Sequence, residues 1–180
     1  MSVTLHPLEI KYGLTSTEML DAIDRRFRLK VALEGAVAEV HFERKLKTAV
    51  QEGWLEAFAG HDVDGMHDFT ILCAGGRKMR VEVKTVRNAK KLQVEIQKTR
   101  AAKGDPSSRF YNHDHFDVIA VCMGRQSGDW SQFRYVLVSQ LPRHPKHPEK
   151  LSVMNSILDG PSSTPRWYSR LKDTIDAFVD

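Results

Sequence analysis

Three side chains near the middle of the chain have the types and spacing for one piece of chemistry: Asp68, Glu82 and Lys84. Glu82 and Lys84 stand two apart in Val81-Glu82-Val83-Lys84-Thr85, whose alternation predicts a strand. Both side chains then point to one face, opposite the apolar stripe of Met79, Val81 and Val83. Asp68 lies near the start of a preceding alternating stretch, and the thirteen residues between it and Glu82 are enough for a hairpin that sets the two acids side by side. Adjacent carboxylates repel each other unless a cation sits between them. Hard oxygen ligands with open positions suit Mg²⁺, which keeps waters and binds phosphate. Such an ion polarises a phosphate and lowers the pKa of a bound water. A neighbouring ammonium orients or deprotonates that water, or offsets the charge that grows in the transition state. Hydrolysis of a phosphodiester needs these parts.

Glu39 adds a third carboxylate. On a helix it shares a stripe with Gly35, Phe42 and Leu46, which predicts a position at or near the core face, where a lone ionised group is costly. Gly35 then marks a close approach of helix to sheet. Two readings of Glu39 stay open: an acid aimed at the metal site or at Lys84, and a boundary residue that reaches solvent or pairs with Arg44.

The elements that must position these groups follow from periodicity. Ser16 or Thr17 caps a first helix, and a second helical pattern runs from about Val31 to Glu52. Gly60 to Gly65 reads as a loop. His67–Cys73, Met79–Val86 and Leu92–Gln97 each alternate and are expected to form a three-stranded meander, with Ala74-Gly75-Gly76 as the first turn. Phe116–Cys122 is a nearly continuous apolar run, as expected of a strand buried on both faces. Phe133–Val138 predicts a fifth strand, Pro142, Pro145 and Pro148 an irregular connection, and Trp167, Leu171, Ile175 and Phe178 a last amphipathic helix. The expected architecture is α/β, a mixed four- to five-stranded sheet flanked by helices, in a single domain over residues 1–180.

The 180 residues carry a net charge of +4, and its distribution says more than its size. Arg77–Arg100 holds nine Lys and Arg against two Glu, so the remainder of the chain is net acidic. A polyanion such as DNA is the natural partner of that segment, and a solvated basic face is the plainer alternative. No apolar run is long enough to span a bilayer, and no basic segment followed by an apolar one opens the chain, so a cytoplasmic protein without membrane association is expected. Cys73 and Cys122 sit in apolar runs and read as buried, reduced thiols.

With these residues in place, the chain resembles the PD-(D/E)xK nuclease superfamily, closest in flavour to the type II restriction endonucleases and more distantly to archaeal-type Holliday-junction resolvases. The matching stretches are GAVAE (35–39), HDFTI (67–71) and VEVKT (81–85), followed by FDVIAVC (116–122). The resemblance implies a restriction-endonuclease-like α-β-β-β-α-β core over about residues 31–122, with 123–180 as a C-terminal extension. It implies a Mg²⁺ ion, replaceable by Mn²⁺, held by Asp68, Glu82 and the backbone carbonyl of Val83. It also implies Lys84 as the catalytic lysine and Glu39 as a helix-borne accessory acid. His67 stands where a proline often precedes the first Asp. Gly104 and Pro106 interrupt the helix expected between the third and fourth strands. In that segment Gln97, Lys98, Arg100, Arg109 and Tyr111 are candidate contacts to phosphates or base edges. Arg100 and Arg109 pairing with Asp105 or Asp117 is the structural alternative.

His61, Asp62, Asp64 and His67 are a weaker candidate for a metal cluster; His61 to Asp64 read as loop residues, with Asp62 or Asp64 capping a turn and Asp64 as the substitute ligand for Asp68. The expected activity is Mg²⁺-dependent DNA cleavage, of restriction type, by a homodimer, since cutting both strands of a duplex with one site per chain calls for a two-fold pair. A structure-selective repair or junction nuclease and a DNA-binding module without cleavage are the competing readings.

Overall fold

The computed structural model describes residues 5–87, 90, 92–158, 160 and 163–179. Lys91, one of the nine basic residues counted above, lies outside the described residues. The chain divides into two compact units, residues 1–37 and 38–180. The first holds α1 (Pro7–Tyr12), α2 (Ser16–Asp24) and the start of α3 (Phe27–Gln51). Its helices are begun by reciprocal caps, His6 with Glu9 and Thr15 with Glu18, so the cap of α2 lies one residue before the expected Ser16. Neither α1 nor α2 has a buried residue.

The second unit contains the site. The α3 helix is rich in Ala, Leu, Glu and Lys, strong helix formers, and buries Ala38, Phe42, Leu46 and Ala49. Fully buried Phe42 packs edge-on against Phe69 at 5.3 Å, and burial of such a ring stabilises by about 1.5–3 kcal/mol. The helix ends where Gly53 takes φ +78°: its N–H donates to Val50 and that of Trp54 to Ala49. This paired closure turns the chain into the first strand.

Five strands form one mixed sheet in the order β1 (Leu55–Gly60), β2 (Phe69–Cys73), β3 (Lys78–Thr85), β5 (Val118–Cys122), β6 (Phe133–Leu137). β1–β2, β2–β3 and β5–β6 are antiparallel and β3–β5 is parallel. The expected α/β class and five-stranded mixed sheet are therefore present, with a different membership. The meander is β1–β2–β3; Leu55–Gly60 (LEAFAG) carries no alternating β-branched residues to announce it. The expected third strand shrinks to β4 (Gln93–Glu95), which leaves the main sheet and pairs with β9 (Met154–Ser156). The interval between β4 and β5 holds a short 3-10 turn at Pro106–Arg109 in place of a helix. The α4 turn (Gly124–Ser127) follows β5, and the proline-rich connection contains a small hairpin, β7 (Arg143–His144) with β8 (His147–Leu151). The last helix, α5 (Leu171–Val179), starts beyond Trp167.

Each face of the sheet has its own core. The row Phe69–Val81–Val118–Leu137 lies on the face packed by α3 and α5. The opposite face carries Ile119, Val121 and Val136 and is covered by Val94, Ile96, Tyr111, Phe116, Leu151 and Trp167. Both cysteines are free and buried, as expected. Among the described residues no helix is long and apolar enough to cross a membrane.

Candidate active site

The turn between β2 and β3 sets the site's register. Gly75 and Gly76 both adopt positive φ, +87° and +79°, which side chains rarely tolerate, so the hairpin closes tightly. Phe69 then pairs with Val81. One step further along the same register, Asp68 stands opposite Glu82, where cross-strand neighbours share a face. β2 begins at Phe69, and so Asp68 is the first residue off the strand.

β3 changes partners at this point. Its pairing with β2 covers Lys78–Val81, and its pairing with β5 covers Val81–Thr85. Toward β5 it uses the backbone of even-numbered residues: the Asp117 N–H donates to the Arg80 carbonyl, and the Val86 N–H to the Cys122 carbonyl. The odd-numbered backbone groups face the side that β2 has left. The Val83 N–H finds Asp68 there and donates to its Oδ2 at 2.7 Å. A strand residue's N–H and C=O leave on the same side, so the Val83 carbonyl also faces this gap.

Glu82 is 2% exposed. Its Oε1 accepts two bonds, from the Lys84 Nζ at 2.5 Å and from the Tyr111 hydroxyl at 2.7 Å. Its Oε2 is buried and has no hydrogen-bond partner among the described residues. Lys84 keeps 22% of its side chain exposed. Burial and then the charge of Glu82 push the Asp68 carboxyl up to about 7, against the opposing bond from Val83 and the charge of Lys84. Burial and the same Glu82 charge hold the Tyr111 phenol well above its ordinary value, so it remains a proton donor.

Glu39 takes the boundary position that one of the two open readings gave it. It lies on the exposed rim of α3 while Ala38, Phe42 and Leu46 form the buried stripe. Protein on one side of its carboxyl still desolvates it, and that burial raises it, opposed by Lys84 and reinforced by Glu82 and Asp62. It therefore lies within electrostatic reach of the site. A Cβ built on Gly35 meets nothing within 4 Å.

The basic and polar candidates divide. The Gln97 amide donates to Glu95. Lys98 and Arg109 hold each other through the backbone: the Lys98 N–H donates to the Arg109 carbonyl at 2.8 Å, and the Arg109 Nε to the Lys98 carbonyl at 3.1 Å. Arg100 is exposed on the connection between β4 and the 3-10 turn. Tyr111 is buried with its hydroxyl on Glu82, inside the site rather than on a nucleic-acid surface. Its ring lies 5.4 Å from the Lys84 ammonium and 5.8 Å from that of Lys98. Asp117 pairs with Arg80, at 2.8 and 3.1 Å, and not with Arg100 or Arg109.

Sequence reasoning did not join His61 and His67 to Thr70. Both Nε2 atoms lie on the Thr70 hydroxyl, at 2.8 and 2.7 Å, and their rings are 5.0 Å apart. One hydroxyl donates to one imidazole and accepts from the other. Among the described residues, no three or more His, Cys, Asp and Glu side chains form a metal-binding group. The donor set here is smaller: two coupled carboxylates and a backbone carbonyl. That suits Mg²⁺, which takes one or two carboxylates and completes its shell with water and phosphate. The partnerless Glu82 Oε2 is the observation that fits a cation best, because a buried anionic oxygen without a donor is costly.

No protein-family model matches the chain, and no curated protein does. Among solved structures, a bacterial homing endonuclease, I-Ssp6803I, is similar to this chain with a TM-score of 0.48 and 15% identity, over 75% of this chain and 82% of that one. A likeness of that extent carries no function across; the geometry of residues 68, 82, 83, 84 and 111 stands on its own.

Proposed function

We propose that this chain is a divalent-metal-dependent DNA endonuclease of the PD-(D/E)xK type. The observation that carries the reading is the unequal use of the Glu82 carboxylate: one oxygen is held by Lys84 and Tyr111, and the other is buried without a partner beside a second acid with a raised pKa. Asp68, Glu82 and the Val83 carbonyl would hold Mg²⁺, or Mn²⁺ in its place. When bound, that ion supplies Lewis-acid polarisation of the scissile phosphate and a more acidic water. Lys84, on a flexible stem and partly open to solvent, moves from Glu82 to the phosphate or the attacking water and offsets the developing charge. Glu39 supports the site through its field. Lys98 and Arg100, with Gln97 and Arg109 beside them, form the basic approach to a phosphate backbone. Two chains on a two-fold axis would cut both strands, as a restriction-type enzyme does.

The test is cleavage of plasmid and branched DNA, in Mg²⁺ and in EDTA, by the wild type and Lys84→Ala. The wild type is expected to cut in Mg²⁺ alone. The variant is expected to bind DNA as well as the wild type and to cut on the order of 10²–10³ more slowly. DNA binding by the wild type without Mg²⁺-dependent cutting, on every substrate, sinks the reading.

A further inference from the structure

A carboxylate can accept about four hydrogen bonds, spread over its two oxygens. At Glu82, among the described residues, both donors converge on Oε1 and none reaches Oε2. The two donors differ in kind. Lys84 sits at the end of a flexible four-carbon stem and is partly exposed. Tyr111 is 7% exposed, and its ring packs edge-on against Phe116 at 4.9 Å and beside His115 at 5.5 Å. Both of its torsions are therefore fixed by packing. Only Lys84 can leave.

We infer that Tyr111 is a positioning residue: its hydroxyl pins Oε1 of Glu82, presents Oε2 alone to the divalent ion, and keeps that hold when Lys84 turns to the phosphate. The inference rests on the metal-centre reading above and deepens it. It moves Tyr111 from the expected nucleic-acid contacts to the support of a ligand. Hydrogen bonds of this kind fix the orientation of a ligating carboxylate, and their loss typically costs about 10–100-fold in metal affinity. The division of labour also explains why a buried Glu has two donors on the same atom. One is structural and permanent, and the other is released for chemistry.

The test uses Mn²⁺ alone as the probe, with bound ion counted by electron paramagnetic resonance on the full chain without DNA. In a Lys84→Ala background, where Tyr111 is the remaining donor, adding Tyr111→Phe is expected to weaken Mn²⁺ binding about tenfold or more. Phe keeps the ring and its packing. On Mn²⁺ addition, the separation between the two infrared carboxylate stretches is expected to narrow in the double variant, because freed Oε1 joins Oε2 on the ion. A purely structural role would not move that signature. Unchanged affinity in the double variant overturns the inference while leaving the metal centre intact. Absence of Mn²⁺ binding by the wild type and Lys84→Ala overturns both. Should the double variant fail to melt cooperatively, Tyr111→Phe with Lys84 intact decides: a drop of about threefold or more supports the role, and wild-type affinity ends it.

Discussion

Two charged clusters lie two residues apart on the same face of β3, and they are built on opposite principles. At Arg80 every group is matched. Asp117 receives the Arg80 backbone N–H at 2.7 Å and its guanidinium at 2.8 and 3.1 Å, and Arg80 also reaches the Asp114 carbonyl. Burial works to raise the Asp117 carboxyl, and these bonds and the Arg80 charge outweigh it, holding it below its ordinary value. At Glu82 the balance is left open. Two acids face each other, one ammonium serves them, and one buried oxygen has no donor. The first cluster ties β3 to Asp117, the residue just before β5. The second stores an unmet demand for positive charge. Unbalanced electrostatics of this kind, next to a satisfied pair, is the contrast on which the proposed metal site rests.

The sharpest way to break the contrast is Glu82→Gln, which removes the unmet charge and keeps the shape. Cleavage is expected to fall on the order of a thousandfold or more, as the loss of about 4 kcal/mol of metal-borne stabilisation requires. The fold should persist, because the buried oxygen loses an unfavourable charge. Near-normal cutting by this variant would dissolve the distinction between the clusters. The next largest effect belongs to the satisfied pair. Asp117→Asn leaves Arg80 partly buried without its carboxylate, at a cost of about 1–3 kcal/mol after allowance for the exposure of the guanidinium. A denaturant midpoint measures it. Mn²⁺ affinity in the folded variant is expected to stay at the wild-type value. A loss of ion binding with unchanged stability would show that the roles are reversed.

The legible part of this molecule is the part that short-range rules govern. Alternation in Met79–Val86 puts Glu82 and Lys84 on one face, and a Gly-Gly turn of fixed reach brings Asp68 opposite, so the three central residues come from local pattern alone. What escaped depends on distant partners. Leu92–Gln97 alternates as a strand, but its partner is Met154–Ser156, some sixty residues on, and no local signal names it. Leu55–Gly60 has no β-branched residue and is a strand because Phe69–Cys73 offers it an edge. Glu39 lies at the rim of the stripe it shares with Phe42 and Leu46, where helical periodicity alone does not separate a core-facing acid from a boundary one. Tyr111 reaches Glu82 from a loop 29 residues away. One signal did point toward it: a glutamate between valines in a buried strand must find donors, and a hydroxyl-bearing aromatic in the segment that covers it is the natural source.

The two aspartates carry opposite signatures against pH, and this smallest effect is the finest test of the comparison. Asp68 has a folded pKa of about 7, well above its ordinary value of 3.8. The folded state thus favours the protonated acid. The stability this gives is fully present below the unfolded value and is lost as pH rises through about 7. Asp117 lies below its ordinary value, so its contribution is present above the unfolded value and is lost as pH falls through the folded one. In EDTA, Asp68→Asn should therefore gain melting temperature relative to the wild type as pH rises from 4 to 8. Asp117→Asn should lose relative to the wild type over the lower end of that range. Water reaching the partly open Asp68 carboxyl screens much of the penalty, so the gain should be about 2–4 °C, the worth of roughly 1 kcal/mol in a chain of this size. Mg²⁺ should cancel the Asp68 trend at high pH by supplying the charge that the proton supplied. An Asp68→Asn profile parallel to the wild type at every pH would mean that the two acids are not coupled, and the demand for a cation between them would vanish.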